Sequence, residues 1–313
     1  MPSPVFLPED SMSHRKDPYD VIVVGAGAAG LSAAVMLGRQ KRRVLVVSLK
    51  RRRNSPADRV NNVPFAHGTP PGEVYRKMES DAAGYGVEFV WDEVRTAWAT
   101  DETVGVRTAD SGSFSAGRLL LATGPVDDLP AWIPEGQWGR TVFDCPYCHT
   151  LEHDGADFVA VGSGEETLQH ALLCRQYADG LTAVVSDPEA LGSPLAERLR
   201  SVGAQVVADT VRSARALPAG GLLLVTGKGR EITAGAVVLD TAIQRPNQVL
   251  PKALGLELNP HGFPRTTLFG QTSHPRVYNT GKSNPSSPYF AWTGAAASGL
   301  NAARKISEDL AFG

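Results

Sequence analysis

Two cysteines separated by two residues stand with a histidine in the stretch Asp144-Cys145-Pro146-Tyr147-Cys148-His149. Cysteines at this spacing can close a small redox disulfide or supply two ligands to a metal. Redox exchange needs thiolate, and a free cysteine titrates near ~8.5, so a neighbouring base helps. His149 can be that base, because an ordinary imidazole with a value near ~6.5 takes up a proton at neutral pH. His149 and His153 also leave a Cys2His2 metal site open. No second cysteine pair follows at zinc spacing, and no metal is expected. Cys174, in the apolar run Ala171-Leu172-Leu173-Cys174, reads as a packed and inert thiol. Three cysteines are too few for a disulfide scaffold.

The elements on either side of this stretch decide what it is for. Upstream, Asp20-Val21-Ile22-Val23-Val24 reads as a buried strand. Gly25-Ala26-Gly27-Ala28-Ala29-Gly30 follows, then the helical run Leu31 to Leu37 and a second strand, Val44 to Val47. This is a βαβ unit with the glycines of a dinucleotide fold. Gly25 permits the tight turn, Gly27 admits a pyrophosphate close to backbone, and Gly30 allows close helix–strand packing. The free N–H groups of the helix N-terminus favour the phosphates. The acidic residue that commonly ends the second strand is replaced by Ser48. Its hydroxyl can still meet a ribose, and Arg51 to Arg53 can reach the adenosine side.

Downstream, Phe158 to Val161 leads into Gly162-Ser163-Gly164-Glu165-Glu166-Thr167, a second turn of the same kind. Thr167 stands where the third glycine belongs. Glu165 and Glu166 compete with an incoming phosphate for the positive end of the helix. The following strand ends in Ser186-Asp187-Pro188, without an arginine pair to hold a 2′-phosphate. The second turn therefore reads as a nucleotide site that has lost its ligand. A dithiol pair lying between two such turns points to a flavin exchanging electrons with sulfur.

The rest of the chain supplies connections. Asn54 to Gly72 is a long loop, with Asn61-Asn62-Val63-Pro64 as its cofactor-facing part. A helix is expected from Pro71 to about Tyr85. Val87 to Ala99 and Val104 to Thr108 read as strands of a small antiparallel sheet. Arg118 to Gly124 reads as a strand ending in Ala122-Thr123-Gly124. Pro125 to Gly139 reads as a linker between domains and Glu189 to Val202 as a helix. A strand-then-glycine pattern recurs at Val277 to Lys282, and a helix from Thr293 to Leu310 closes the chain. Residues 1–17 read as a flexible lead-in without a secretory h-region. At 313 residues, with a formal net charge of −2, the chain suits one large or two ordinary domains. That charge gives no reason to expect nucleic acid or an anionic membrane as partner.

This order of parts resembles the low-molecular-weight thioredoxin reductase family from Tyr19 to Leu310. The marks are Gly25 to Gly30, Ala122-Thr123-Gly124, Cys145-Pro146-Tyr147-Cys148 and Gly162-Ser163-Gly164. The resemblance implies an α/β fold of two Rossmann-like, three-layer ββα dinucleotide-binding domains. Residues 18–125 and 244–313 would form a discontinuous FAD domain. Residues 126–243 would form an inserted NADPH-type domain carrying the cysteines, here without NADPH. FAD would be held by Gly25, Ala26, Gly27, Ala28, Ala29, Gly30, Ser48, Arg53, Asn54, Asn62 and Val63. Ala122, Thr123, Gly124, Gly281, Lys282, Phe290 and Ala291 would complete its site. A cytoplasmic homodimer is also implied.

Three departures narrow the expectation. His149 follows the second cysteine where that family carries Asp, Lys282 follows the C-terminal glycine where it carries Asp, and the NADPH arginines are missing. Cys-Pro-Tyr-Cys-His beside a degenerate nucleotide turn is similar to the thioredoxin-reductase-like dithiol oxidases, which close disulfides in gliotoxin, holomycin and related metabolites. The holomycin type is the nearer expectation. It implies a small dithiol substrate, Cys145 as the sulfur that meets it, Cys148 as the sulfur against the flavin, and oxygen as acceptor with hydrogen peroxide as product. Two other readings remain: an NADPH-dependent thioredoxin or disulfide reductase, and a glutaredoxin-like redox module without flavin.

Overall fold

The structure, a computed structural model, describes residues 18–240, 243–284 and 291–313. Phe290 and the lead-in 1–17 lie outside the described residues. The chain divides into two compact units. One comprises the chain up to Arg53, Asn62–Val126 and the chain from Pro246 onward. The other comprises Asn54–Asn61 and Asp127–Arg245.

In the first unit, β1 (Tyr19–Val24), α1 (Ala28–Arg39) and β2 (Val44–Val47) form the expected βαβ unit. Val21 to Val24 pair in parallel with Val44 to Val47. These valine-rich runs are buried on both faces, as the central strands of a parallel sheet must be. α2 (Pro71–Gly84), β3 (Glu88–Val90), β4 (Val94–Ala99), β5 (Val104–Thr108) and β6 (Ser113–Leu121) follow. The sheet order is β3-β2-β1-β6-β5-β4, and the strand Val277–Asn279 also pairs with β6, in parallel.

β6 does two jobs along its length. Its early residues pair antiparallel with β5, and its last three pair with Val277–Asn279. The run Val87 to Ala99 is two strands rather than one. β3 joins the parallel part of the sheet beside β2, and only β4 enters the antiparallel part. The break has a local cause: the buried Asp92 carboxylate accepts from the backbone N–H groups of Glu93, Asp110 and Ser111 and turns the chain.

α1 packs against the C-terminal helix Ala291–Phe312, sharing a core that includes Leu31, Ala34, Ala302, Ala303 and Ile306. Small residues make the approach possible. A Cβ at Gly299 would lie 2.0 Å from the Ala29 carbonyl oxygen.

The second unit centres on five parallel strands, in the order Gln205–Ala208, Ala178–Val185, Ala156–Gly162, Ala236–Leu239 and Val142–Phe143. Helices Glu165–Cys174 and Pro194–Ser201 pack one core around Phe158, Leu168 and Leu199. A three-stranded antiparallel sheet, Val211–Ala216, Leu222–Thr226 and Glu231–Ala234, packs a second core. The single helix expected over Glu189 to Val202 is a short 3-10 turn, Pro188–Gly192, followed by the helix Pro194–Ser201. Ser193 causes the restart. Its hydroxyl accepts from Ala196 N at 3.2 Å, and Pro194 occupies the first helical position. Cys174 is a free, buried thiol pushed up to about 12 by burial, which makes it inert. Among the described residues, no helix is long and apolar enough to cross a membrane.

Candidate active site

Two constellations carry the chemistry, and each lies within one unit. In the first unit, the turn after β1 is held open by its glycines. Gly25 has φ +109°, and a Cβ there would fall 2.4 Å from the Ala122 carbonyl oxygen. A Cβ at Gly30 would fall 1.9 Å from the Gly25 oxygen, whereas one at Gly27 would meet nothing within 4 Å. So Gly25 and Gly30 serve internal packing, and Gly27 faces open space. α1 begins there without a side-chain cap or an acidic residue in its opening turn, which leaves N–H groups and positive dipole for an anion. The cradle fits the pyrophosphate of a dinucleotide.

Several of the residues named for this cofactor follow the carboxyl ends of adjacent parallel strands. Ala26, Ala28 and Ala29 line the turn and are buried, and Ala122 N donates to Val24 O at 2.8 Å. Thr123 and Gly124 (φ +66°) follow β6. Gly281 N donates to Ser298 Oγ at 3.1 Å, and a Cβ on Gly281 would lie 3.2 Å from the Ala29 side chain. Lys282 is exposed in the short turn Gly281–Ser283, and Ala291 opens the C-terminal helix. Val63 is buried, and Asn62 adopts the left-handed conformation, with its N–H directed to His67 Nδ1 at 3.3 Å. Arg53 belongs to this unit, while Asn54 packs with the other.

Ser48, expected to meet a ribose, also has partners within the protein. Its hydroxyl accepts from Ala26 N at 3.0 Å and donates to Leu49 O at 2.9 Å, and so braces the turn. Arg52 braces it from the other side. Its Nε donates to Ala26 O, its guanidinium stacks over Tyr75 and Trp91, and it pairs with Glu79. The Thr280–Ser298 hydroxyl pair, 2.7 Å apart, ties the C-terminal strand to the last helix. Most of these partners lie far apart along the chain, so no local pattern marks them.

The second turn, at Gly162, differs in kind. A Cβ on Gly162 would lie 2.0 Å from Asp240 Oδ2. That carboxylate accepts from Ser163 N at 2.8 Å, Ser163 Oγ at 3.3 Å and Thr167 Oγ1 at 3.1 Å. Thr167, in the place of the third glycine, is therefore paired with a buried acid directly behind the turn. Glu165 and Glu166 open the helix in front of it. Asp187 accepts from Glu189 N and caps the next 3-10 turn, where an arginine would serve a 2′-phosphate. One carboxylate backs the turn and two acidic residues open its helix, where a pyrophosphate would have to bind, and like charges in one place repel.

The cysteines lie in this second unit. Cys145 and Cys148 are joined as a disulfide, with Cα atoms 5.3 Å apart. Pro146, buried and with its backbone angle preset, starts the helical turn Pro146–His149 that brings the two sulfurs together. Cys148 N donates to Cys145 O at 3.1 Å, and Thr150 Oγ1 donates to Pro146 O at 2.6 Å. Tyr147 is 57% exposed and shapes the outer face.

His149 packs on Phe143, ring centroids 5.4 Å apart, and His153 stacks on the same ring at 5.7 Å. Burial disfavours the imidazolium and lowers His149 below the ordinary histidine value, against the attraction of Glu152 and Asp144. It is therefore neutral at pH 7 and able to accept a thiol proton. If the cystine exchanges with thiols, as the resemblance implies, a His149→Gln variant should react with a small dithiol about a hundredfold more slowly. In the native protein the rate should fall only at a pH below the ordinary histidine range, where this neutral base becomes protonated. The variant should lack that acid limb. A pH profile of dithiol turnover checks both, and equal profiles would exclude His149 as the base. Among the described residues, no three His, Cys, Asp or Glu side chains gather as a metal site.

A cystine turn in one dinucleotide-fold unit and an open phosphate cradle in the other define the class: a flavin oxidoreductase with a redox disulfide. The chain belongs to the pyridine nucleotide-disulphide oxidoreductase family, whose model matches residues 19–299. Members of the thioredoxin reductase branch bind FAD, and FAD is the cofactor of this chain. It is 30% identical over 195 residues to thioredoxin reductase sirT of Leptosphaeria maculans, covering 56% of this chain and 60% of that one. It is 31% identical over 172 residues to thioredoxin reductase of Treponema pallidum, covering 53% and 55%. The matches thus span little more than half of these relatives. Among solved structures, HlmI superposes with a TM-score of 0.82 at 28% identity, covering 95% of this chain and 94% of that one.

Proposed function

We propose that this thioredoxin-reductase-like oxidoreductase is a dithiol oxidase that closes a disulfide in a small natural-product dithiol of the dithiolopyrrolone kind. The observation that carries this reading is the contrast between the two glycine turns. One opens onto free space at Gly27, and the other is backed by Asp240 and fronted by Glu165 and Glu166. A chain that cannot hold NADPH takes its electrons from thiols instead.

In the reaction, a substrate thiolate attacks Cys145 Sγ, the Cys145–Cys148 bond breaks, and Cys148 leaves as thiolate. The second substrate thiol gives its proton to His149 and attacks the substrate sulfur of the mixed disulfide. Cys145 thiolate is expelled and the substrate ring closes. The substrate loses two electrons and two protons, and the protein dithiol gains the electrons. FAD supplies the route from that dithiol to oxygen, which becomes hydrogen peroxide. The resemblance to such oxidases also carries the proposal of a cytoplasmic homodimer.

The second reading, an NADPH-dependent disulfide reductase, is favoured by relatives that bear the name thioredoxin reductase. Oxygen uptake with one peroxide formed per disulfide closed, on adding a small dithiol in the absence of NADPH, supports the oxidase. No uptake with any of a panel including a reduced dithiolopyrrolone and a reduced epidithiodiketopiperazine would refute it.

A further inference from the structure

The segment Asn54–Asn61 follows β2 in sequence but packs with the unit that carries the cysteines. It makes three contacts with that unit, one of them with the cystine turn. Asp58 pairs with Arg140 at 3.0 Å. Pro56 and Ala57 lie against Gly139, where an added Cβ would come within about 3 Å of both. Asn61 reaches furthest: its Nδ2 donates to the Cys148 carbonyl oxygen and to Glu152 Oε1, each at 2.8 Å. Both partners only accept, so the orientation of the carboxamide is fixed by them. The cost of that choice is visible. Asn61 Oδ1 is buried and has no hydrogen-bond partner among the described residues. A buried acceptor left unmatched is tolerated where another part of the same group is needed.

We propose that Asn61 is a positioning residue of the redox pair, pinning the turn that carries Cys148 and the Glu152 carboxylate to a single amide. This rests on the thiol-exchange reading above. Its consequence concerns His149, which is faced by the carboxylates of Glu152, Asp144 and Asp58 and by His153. Asp144 accepts from Gln244 Nε2 at 2.5 Å, and Asp58 is paired with Arg140. Glu152 is held by Asn61. A carboxylate kept beside the imidazole stabilises the imidazolium that forms when His149 takes a thiol proton. Without Asn61 the Glu152 side chain, which is otherwise exposed, moves into solvent and its charge is screened.

The test is the rate of anaerobic flavin reduction by dithiothreitol across pH, in the native protein, Asn61→Leu, Glu152→Gln and the double variant. Asn61→Leu should retain FAD, react about tenfold more slowly and move the acid limb to lower pH by about half a pH unit. Glu152→Gln should reproduce that movement, and the double variant should move the limb no further, because the two residues act as one unit. An unmoved limb in Glu152→Gln, or additive movements in the double variant, would overturn the proposal even if Asn61→Leu fails to fold. Slower reduction with an unmoved limb in Asn61→Leu would also overturn it, by reducing Asn61 to a structural role. If dithiothreitol fails to reduce even the native flavin, the thiol-exchange reading itself fails. That outcome is distinct from a loss of coupling among the variants.

Discussion

Cys145→Ser should leave the protein yellow and folded but lower its turnover with small dithiols by about a thousandfold or more. Loss of the attacked atom removes the covalent step altogether, and losses of this size follow removal of a nucleophile. The fold should not notice. Cys145 precedes the helical turn Pro146–His149, whose geometry is set by Pro146, by the Thr150 Oγ1 bond to Pro146 O and by the Asn61 bond to Cys148 O. A serine hydroxyl fits the space of the thiol, so melting temperature and FAD content should stay close to native.

The two cysteines should separate spectroscopically. In Cys145→Ser the remaining Cys148 thiolate should show a broad long-wavelength absorbance with the flavin, and in Cys148→Ser that absorbance should be missing. Absorbance spectra of both variants, recorded with FAD content and turnover, check the assignment. The opposite pattern would mean that the roles are exchanged.

Gly30→Ala should yield a protein that retains little FAD. The added Cβ would sit 1.9 Å from the Gly25 carbonyl oxygen and 3.2 Å from the Ala122 side chain. Backbone cannot move aside as a flexible side chain can, so α1 must shift away from β1. Overpacking of this kind costs roughly 1–3 kcal/mol, and more where backbone is the obstacle. The shift also spoils the alignment of the N–H groups at the start of α1 with the phosphates.

Gly27→Ala provides the control. Its Cβ meets nothing within 4 Å, so the fold should melt as the native protein does, while the methyl group stands where the pyrophosphate approaches. Flavin content, FAD titration by fluorescence and thermal unfolding separate the two cases. Gly30→Ala should lose both affinity and stability, and Gly27→Ala affinity alone. Native-like flavin content in Gly30→Ala would contradict the account of the cradle.

Local pattern made much of this legible. The runs Ile22 to Val24 and Val44 to Val47 mark buried parallel strands by composition, and the glycines between them mark the turn. The Cys145–Cys148 spacing admits a disulfide or a pair of metal ligands, and only the two glycine turns flanking it favour the redox reading. Residues whose partners are remote were not legible. Asp240 is an acid at the end of an apolar strand, and nothing near it in sequence shows that it meets Ser163 and Thr167. Asn61 reads as one polar residue in a loop, yet its amide closes on Cys148.

Ser48 illustrates the same limit from the other side. Its position suits a ribose contact, and nothing local shows that its hydroxyl also accepts from Ala26 N. Local chemistry also overruled pattern in two elements. Asp92 broke an alternating strand by gathering three backbone N–H groups, and Ser193-Pro194 restarted a helix.

In the proposed reaction electrons enter from dithiols and not from NADPH, because Asp240 backs the second turn and Glu165 and Glu166 open its helix. The most direct measurement is the flavin absorbance of the purified protein under anaerobic conditions, with NADPH and a small dithiol added in separate experiments. NADPH should leave the absorbance unchanged, the dithiol should bleach it, and air should restore it with release of hydrogen peroxide. Prompt bleaching by NADPH would contradict the proposed reaction and make the protein a reductase.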